Sequence, residues 1–365
     1  MLGIRKLAAV CSLAFCVAGT ACVSVKGAQN ISPSGYAYNQ AVAQSKSEQL
    51  LLNLVRLKYR DAVVFMDIDG ITTQHQYAGS VSAETFLPFR RTENGSALFS
   101  PGISMSETPT IVFKPLDSSQ FAQDLLAPIT PETIVLLANS GWSIERLLTC
   151  CVERLGNLSN APSASGPTPE ILPDNSEFRA AAKLLRALQM RERVRVEMVP
   201  VAGTDTVQTY LRVDADDTPE CSGLTASFGM DACHMRFRLV AKGGGLSDGE
   251  FFAQTRTVLG ALYTLSHGVD IPVVHQDASL TTESRVISAK TSNWTDFLGR
   301  QFHVRTGQAE PDGAAVSVLY RDHWFWIEDS DLESKTTFNL MLFLLALQSA
   351  ASDGASPLLT INAGG

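Results

Sequence analysis

The stretch VSVLYRDHWFWIEDSDLESKTTFNLMLFLLAL at residues 316–347 decides how we expect the chain to fold. It predicts a strand, a tight turn at residues 321–323, a second strand and then an apolar helix. In the second strand, the tryptophans of WFWI (residues 324–327) share one face, while the phenylalanine and the isoleucine share the other. A strand with large side chains on both faces is typical of the middle of a sheet. We therefore predict that this strand is central.

The helix that follows begins with a polar cap and continues as an apolar run. Ser330 or Asp331 can cap it, and Glu333 lies in its first turn, where a carboxylate favours the exposed N–H groups. Between residues 338 and 347, Asn339 is the only polar side chain. The run is about half the length needed to cross a bilayer. We therefore predict a core helix that is buried on most sides.

The first residues have the pattern of a secretory signal peptide. Arg5 and Lys6 form a short positive region, residues 7–18 are apolar, and the small residues GTA precede Cys22. The pattern predicts that residues 1–21 are a signal peptide and that the protein is exported. An uncleaved transmembrane anchor is disfavoured because the apolar run is too short.

The stretch AGTAC, which ends at Cys22, resembles a bacterial lipobox, although Gly19 stands where that motif usually has a branched apolar residue. The resemblance implies that Cys22 becomes the lipidated first residue of the mature protein, with palmitate among its acyl chains. The next two residues lack the aspartate that retains such lipoproteins at the inner membrane, which implies the outer membrane. The alternative is cleavage after Ala21, which would leave a soluble periplasmic protein.

Composition and motifs exclude several classes of function. The chain has 29 basic and 37 acidic residues and no basic stripe that could neutralise phosphates, so nucleic acid is not an expected partner. The patterns GxSxG, HExxH, GxxxxGK[ST] and GxGxxG are absent, and the six histidines have no metal-ligand spacing. We expect no cofactor, no metal and no recognisable catalytic site. Each histidine is expected to be exposed or hydrogen-bonded within the core.

Four cysteines remain beyond residue 22. The oxidising compartment permits a disulfide between Cys221 and Cys233, which would close a short loop between predicted strands, although two unpaired thiols are equally compatible with the sequence. Cys150 and Cys151 are neighbours on a predicted helix and point about 100° apart, so they cannot readily pair. We interpret them as small buried side chains.

The chain divides into a tether and two parts of different composition. Residues 22–34 are small and polar and predict a flexible, lipidated tether. Residues 35–157 form a helix-rich N-terminal α+β part, residues 158–173 a surface linker rich in Pro, Ser and Gly, and residues 174–365 a strand-rich C-terminal α+β part. The fold class is α+β, with antiparallel sheets packed against helices. The linker could mark a domain boundary, or the two parts could share one core.

An amphipathic helix is predicted near the start of the fold. It runs from about Ala41 to Tyr59, with leucines on one face and Lys58 on the polar side.

In the C-terminal part, three alternating strands are followed by a helix that runs from Ser247 or Asp248 to about His267. The strands and helix near the C-terminus repeat this order, which predicts a possible duplicated unit of three strands and one helix.

Two acidic groups are candidate sites. Asp67 and Asp69 lie on one predicted strand face about 7 Å apart, a spacing that could hold a cation or serve acid/base chemistry, although such a pair is more often just a solvated face. Glu328, Asp329 and Asp331 crowd the start of the last helix, where helix capping is the alternative to catalysis.

Four segments resemble blocks found in a group of bacterial exported proteins and lipoproteins without an assigned activity. They are QLLLNLVRLKYRDAVVF at residues 49–65, SGWSIERLL at 140–148, RTVLGALYTL at 256–265 and WFWIEDSDLESKTTF at 324–338. The resemblance implies one continuous architecture and an exported protein, and it implies no mechanism.

Three functions are compatible with these observations. The first is a cell-envelope lipoprotein, held at the periplasmic face of the membrane by Cys22, with a structural or interaction role toward another envelope protein. The second is a periplasmic hydrolase that uses the carboxylates of the two acidic groups. The third is a protein that binds a lipid or small hydrophobic ligand within its core.

Overall fold

The structure is a computed structural model that describes residues 27–85, 97–116, 118–203, 207–214, 217–241 and 252–352. For residues 27–34, 69–85, 97–111 and 348–352 it describes the backbone alone. Cys22 and the predicted signal peptide lie outside the described residues. The chain forms two compact units, residues 1–45 and residues 46–365. Both sides of the predicted linker therefore belong to the second unit.

Helices account for much of the described chain. In order they are α1 (Gly27–Lys58), α2 (Ser119–Leu126), α3 (Pro131–Asn139), α4 (Ile144–Cys151), α5 (Ser176–Met190), α6 (Pro219–Phe228), α7 (Val258–Ser266), α8 (Val273–Asp277), α9 (Trp294–Phe297) and α10 (Leu332–Ser352). A short 3-10 helix, Pro162–Ser165, lies between α4 and α5. Helix α1 begins at Gly27, so the second part of the predicted tether is helical.

The strands form three sheets. In order they are β1 (Met66–Thr85), β2 (Ala97–Pro115), β3 (Val152–Leu155), β4 (Leu158–Ser159), β5 (Val194–Pro200), β6 (Val207–Val213), β7 (Met235–Val240), β8 (Phe252–Thr255), β9 (Arg305–Gly307), β10 (Ala314–Tyr320) and β11 (His323–Glu328). The sheets are the hairpin β1-β2, a six-stranded sheet β4-β3-β8-β7-β6-β5 and a three-stranded sheet β10-β11-β9. The predicted α+β class, with mainly antiparallel sheets packed against helices, is confirmed.

The six-stranded sheet corrects one prediction. Strands β5, β6 and β7 pair antiparallel as neighbours, with helix α6 in the connection between β6 and β7. Strand β8 then pairs parallel to β7, from Arg238 opposite Phe252 to Val240 opposite Gln254, and antiparallel to β3. The predicted single helix to His267 is therefore wrong, because a strand fills part of that stretch and α7 begins only at Val258. The two sheets differ in strand number and pairing, so the duplicated unit is not confirmed.

The three-stranded sheet has the predicted centre. Strand β11 lies between β10 and β9. On one of its faces Phe325 and Ile327 are fully buried. The turn between β10 and β11 consists of Arg321 and Asp322, whose φ angles are +49° and +63°. Two positive φ values are characteristic of a type I′ hairpin turn, whose twist matches that of the strands.

Helix α10 follows the predicted cap but is less buried than predicted. The Asp331 carboxylate accepts hydrogen bonds from the backbone N–H of Ser334 at 3.0 Å and from its hydroxyl at 2.7 Å. Phe338, Leu340, Met341 and Leu344 are buried. Phe343 and Leu347, four residues apart on one face, are 56% and 42% exposed. The prediction of burial on most sides is therefore wrong for this face.

The predicted surface linker at residues 158–173 is also wrong. Leu158, Ala164 and Leu172 are buried in the core, as is the side chain of Asn160. The Asn160 amide donates to the carbonyl oxygens of Thr149 at 2.9 Å and of Val152 at 2.8 Å. These bonds satisfy backbone acceptors where α4 ends, so a polar residue in a loop stabilises the buried end of a helix.

Cys221 and Cys233 are joined by a disulfide, with their Cα atoms 5.5 Å apart. The first cysteine lies on α6 and the second in the loop before β7, so the closed loop contains a helix as well as irregular chain. Cys150 and Cys151 are buried free thiols.

Candidate functional site

The first acidic pair named from the sequence, Asp67 and Asp69, does not lie on a regular strand. Asp67 is paired with Lys46 at 3.3 Å. The β1-β2 register shifts between Ile68 and Gly70, so Asp69 is the extra residue of a bulge. Such a bulge interrupts the regular alternation that would place Asp67 and Asp69 on one face. The side chain of Asp69 lies outside the described residues.

The carboxylates near α10 each have a local structural partner. Glu328 accepts a hydrogen bond from the indole N–H of Trp326 at 3.0 Å. Asp329 pairs with the ammonium of Lys335, and Asp331 caps α10. Helix capping and ion pairing therefore account for the cluster.

A cleft that the sequence did not indicate lies at the C-terminal end of α1. It has a volume of about 370 Å³ and is lined by residues from α1, from the end of α7 and from the loops that flank α8 and α9. We call it the Lys58 cleft. Its lining includes Lys58, His267, Asp270, Thr282 and Trp294. Its size falls in the range of about 300–1,000 Å³ that is usual for small-molecule sites.

Lys58 is the unusual residue of this cleft. Its side chain was predicted on the polar side of α1, yet only 5% of the residue is exposed. Within the described part of the chain, its ammonium has no hydrogen-bond acceptor and no carboxylate within ion-pair distance; it lies 5.9 Å from the centre of the Trp294 ring. Burial lowers the pKa of Lys58 to about 8, and the charge of Asp270 opposes this shift. A buried cation without a close partner is costly and needs an explanation.

His267 forms a neutral wall of the cleft. Its Nε2 lies 3.0 Å from the carbonyl oxygen of Ala164 and its Nδ1 3.4 Å from the hydroxyl of Thr168. Because a carbonyl oxygen can only accept, Nε2 carries the proton and Nδ1 accepts from Thr168. Burial, and then the charge of Lys58, lower the pKa of His267 to about 3. The ring packs against Trp294 with centroids 4.2 Å apart. His267 is therefore the hydrogen-bonded core histidine that was expected.

Asp270 is paired with His303. Its carboxylate lies 2.8 Å from Nε2 of His303. This hydrogen bond, with the charge of Asp270, raises the pKa of His303 above its usual value despite the opposing effect of burial. The negative charge of Asp270 is therefore already partly compensated.

The Asp270–His303 pair predicts a pH-dependent stability. Because the pKa of His303 is raised in the folded state, its contribution is fully present below about pH 6.5 and is lost as the pH rises through the folded pKa. Urea unfolding gives the free energy of unfolding of wild type and of His303→Gln. We expect wild type to be the more stable of the two at pH 5.5, and the difference in free energy to be about 0.5 kcal/mol smaller at pH 8.5. Asp270→Asn should remove this pH-dependent difference. An equal difference at both pH values would contradict the assignment.

A second polar cluster ties the chain just after α1 to the β10-β11 turn. Asp61 accepts hydrogen bonds from the hydroxyl of Tyr320 and from the guanidinium of Arg321, the latter at 2.9 Å. The hydroxyl of Tyr59 and Nδ1 of His275 are 2.6 Å apart. These side chains are occupied by one another, and we interpret the cluster as structural.

Comparison of the chain with protein-family models, with curated proteins and with solved structures finds no match. The resemblance to exported proteins without an assigned activity therefore stays a prediction. Among the described residues, none of the helices combines the length and the apolar character needed to cross a membrane.

Proposed function

We propose that the chain is an exported lipoprotein of the bacterial cell envelope, held at the periplasmic face of the outer membrane by acyl chains on Cys22. The observation that carries this proposal is the signal-like segment at residues 5–18 followed by AGTAC. The folded part, residues 46–365, would then work next to the membrane surface. Its role is structural or interactive, toward another protein of the envelope.

An exposed apolar group supports an interaction role. Phe343 and Leu347 share the outward face of α10, and the ring of Phe343 meets that of Trp142 edge-on, with centroids 6.1 Å apart. Contiguous apolar surface on a soluble domain often marks a contact with another molecule. We call Trp142, Phe343 and Leu347 the Phe343 group. An envelope protein with a complementary apolar surface is the partner that it fits.

A photo-cross-linking amino acid at residue 343 tests this role. In intact cells we expect the variant to capture a second protein, because residue 343 would be buried in the complex. The matched control carries the same amino acid at the exposed position of Lys183, on α5. Equal capture at both positions, or capture at neither, would count against the Phe343 group as the contact.

The other two candidate functions have less support. The carboxylates proposed for a hydrolase each have structural partners, apart from Asp69, whose side chain is not described. The apolar pocket beside α1, lined by Leu50, Phe65, Phe121 and Leu342 among others, has a volume of about 110 Å³. That is well below the roughly 300 Å³ at which sites for small molecules begin. A ligand-binding role is better supported at the Lys58 cleft, which is larger and has both polar and apolar side chains in its lining.

A further inference from the structure

We propose that the Lys58 cleft binds a small hydroxylated molecule through a single carboxylate that pairs with the ammonium of Lys58. This function goes beyond the anchoring and protein contact proposed above and does not depend on them. It rests on the burial of Lys58, on the missing partner of its ammonium and on the charges that surround the cleft.

The first step concerns the buried ammonium. Lys58 lines a cleft of about 370 Å³, and only 5% of the residue is exposed. Removing a cation from water is expensive unless an anion or several hydrogen-bond acceptors replace the water. Within the described part of the chain neither lies within bonding distance of the ammonium. An anionic group bound in the cleft would supply the missing partner, because a hydrogen bond between two charged groups is stronger than one between neutral groups.

The second step concerns how much negative charge the cleft accepts. Two carboxylates, Asp270 and Glu283, also line it. Asp270 pairs with His303, while Glu283 is exposed to solvent. A ligand with one negative charge can meet Lys58, but a second negative charge would face these carboxylates and be repelled. The arrangement therefore favours a monoanion over a dianion.

The third step concerns the body of the ligand. Three threonines, Thr281, Thr282 and Thr295, line the same cleft, together with Ser292 and Asn293, whose side chains also hydrogen-bond to Asp296 at the start of α9. Such a lining matches a molecule that carries several hydroxyl groups, because each can exchange hydrogen bonds with these side chains. Trp294 supplies one large apolar surface among them. A hydroxylated carboxylic acid satisfies both the charge and the lining.

Two matched pairs of probes separate these requirements. Glucose and glucuronate are both six-membered rings and carry no carboxylate and one carboxylate, while gluconate and glucarate are both open chains and carry one and two. We expect the detergent-solubilised full-length protein to bind glucuronate in calorimetry at least about tenfold more tightly than glucose, and gluconate at least about tenfold more tightly than glucarate. Glucose binding as tight as glucuronate would overturn the role of the carboxylate. Glucarate binding as tight as gluconate would overturn the preference for one charge, and no binding of any probe would overturn the proposal.

Variants of Lys58 locate the site. Lys58→Met keeps an unbranched side chain that is one atom shorter and removes its charge, so we expect a loss of about ten- to hundredfold in glucuronate affinity. The fold should survive, since an unpaired buried charge is replaced by an apolar group. Lys183→Met, at an exposed position on α5, is the matched control and should bind as wild type. Unchanged affinity in a folded Lys58→Met protein would overturn the proposal.

A second measurement follows the reactivity of the Lys58 amine directly. A carboxylate bound to its ammonium shields the amine and disfavours loss of its proton. Acetylation of Lys58 by acetic anhydride at pH 8, followed by peptide mass spectrometry, should slow several-fold when glucuronate is present, while acetylation of Lys183 should not change. If glucuronate binds but leaves the labelling rate of Lys58 unchanged, the ligand occupies another site and the proposal fails.

Discussion

Replacing Arg256 with methionine is expected to lower the free energy of unfolding by about 3–5 kcal/mol. Arg256 is completely buried at the junction between β8 and α7. Its guanidinium donates to the backbone carbonyl of Asn160 and to the hydroxyl of Ser165. Burial lowers its pKa to about 10, and the nearby Glu153 opposes that shift. Methionine would leave the carbonyl without its donor and Glu153 buried without this cation.

Urea unfolding followed by circular dichroism measures this effect. Arg154→Met is the matched control, since Arg154 lies exposed on the neighbouring strand β3, and it should change stability by less than about 0.5 kcal/mol. Arg256→Lys should fall between wild type and Arg256→Met, because lysine keeps the charge and loses the forked geometry. If Arg256→Met were as stable as Arg154→Met, Arg256 would not hold the loop at residues 158–173 in the core.

Local sequence patterns were sufficient to predict the features of the fold that depend on neighbouring residues along the chain. The alternation in WFWI predicted a central strand, and β11 lies in the middle of its sheet. The polar residues before α10 predicted its cap, which Asp331 provides. In each case neighbours along the chain determine the outcome, so the spacing of side chains carries the information.

Long-range contacts decided the cases that the sequence did not predict. The composition of residues 158–173 is typical of a surface linker, but the buried amide of Asn160 donates to the carbonyl of Val152, and the carbonyl of Asn160 accepts from the guanidinium of Arg256. The stretch around β8 was predicted as helix because its strand conformation depends in part on pairing with β3, far earlier in the chain, where Val152 lies opposite Thr255. Tertiary pairing of this kind routinely overrides local preference.

The Lys58 cleft shows the same limit at the candidate site. Lys58 follows Leu54 by four residues and Leu51 by seven, so helical spacing places it on the apolar face of α1. Its charge favoured the opposite prediction, because lysine is seldom fully buried. His267 and Trp294, which lie more than 200 residues further along the chain, form the walls that bury it. The feature of the sequence that could have indicated this site was a charged residue at an apolar position of a helix.

Removing the proposed acyl anchor at Cys22 is expected to have the other large effect. Each buried methylene of an acyl chain contributes about 0.8 kcal/mol to membrane binding, and two chains are enough for stable anchoring. We expect Cys22→Ala to lower the amount of mature protein in the membrane fraction by at least about tenfold. The rest would be soluble or would remain as uncleaved precursor. Cys16→Ala changes a cysteine of the same leader six residues earlier and should leave the distribution as in wild type.

Incorporation of labelled palmitate tests the proposed anchoring most directly. The protein is expressed in growing bacteria with the label, purified under denaturing conditions and compared among wild type, Cys16→Ala and Cys22→Ala. We predict equal label on wild type and Cys16→Ala and none on Cys22→Ala. Wild-type protein without label, or Cys22→Ala protein labelled as strongly as wild type, would contradict the lipoprotein assignment.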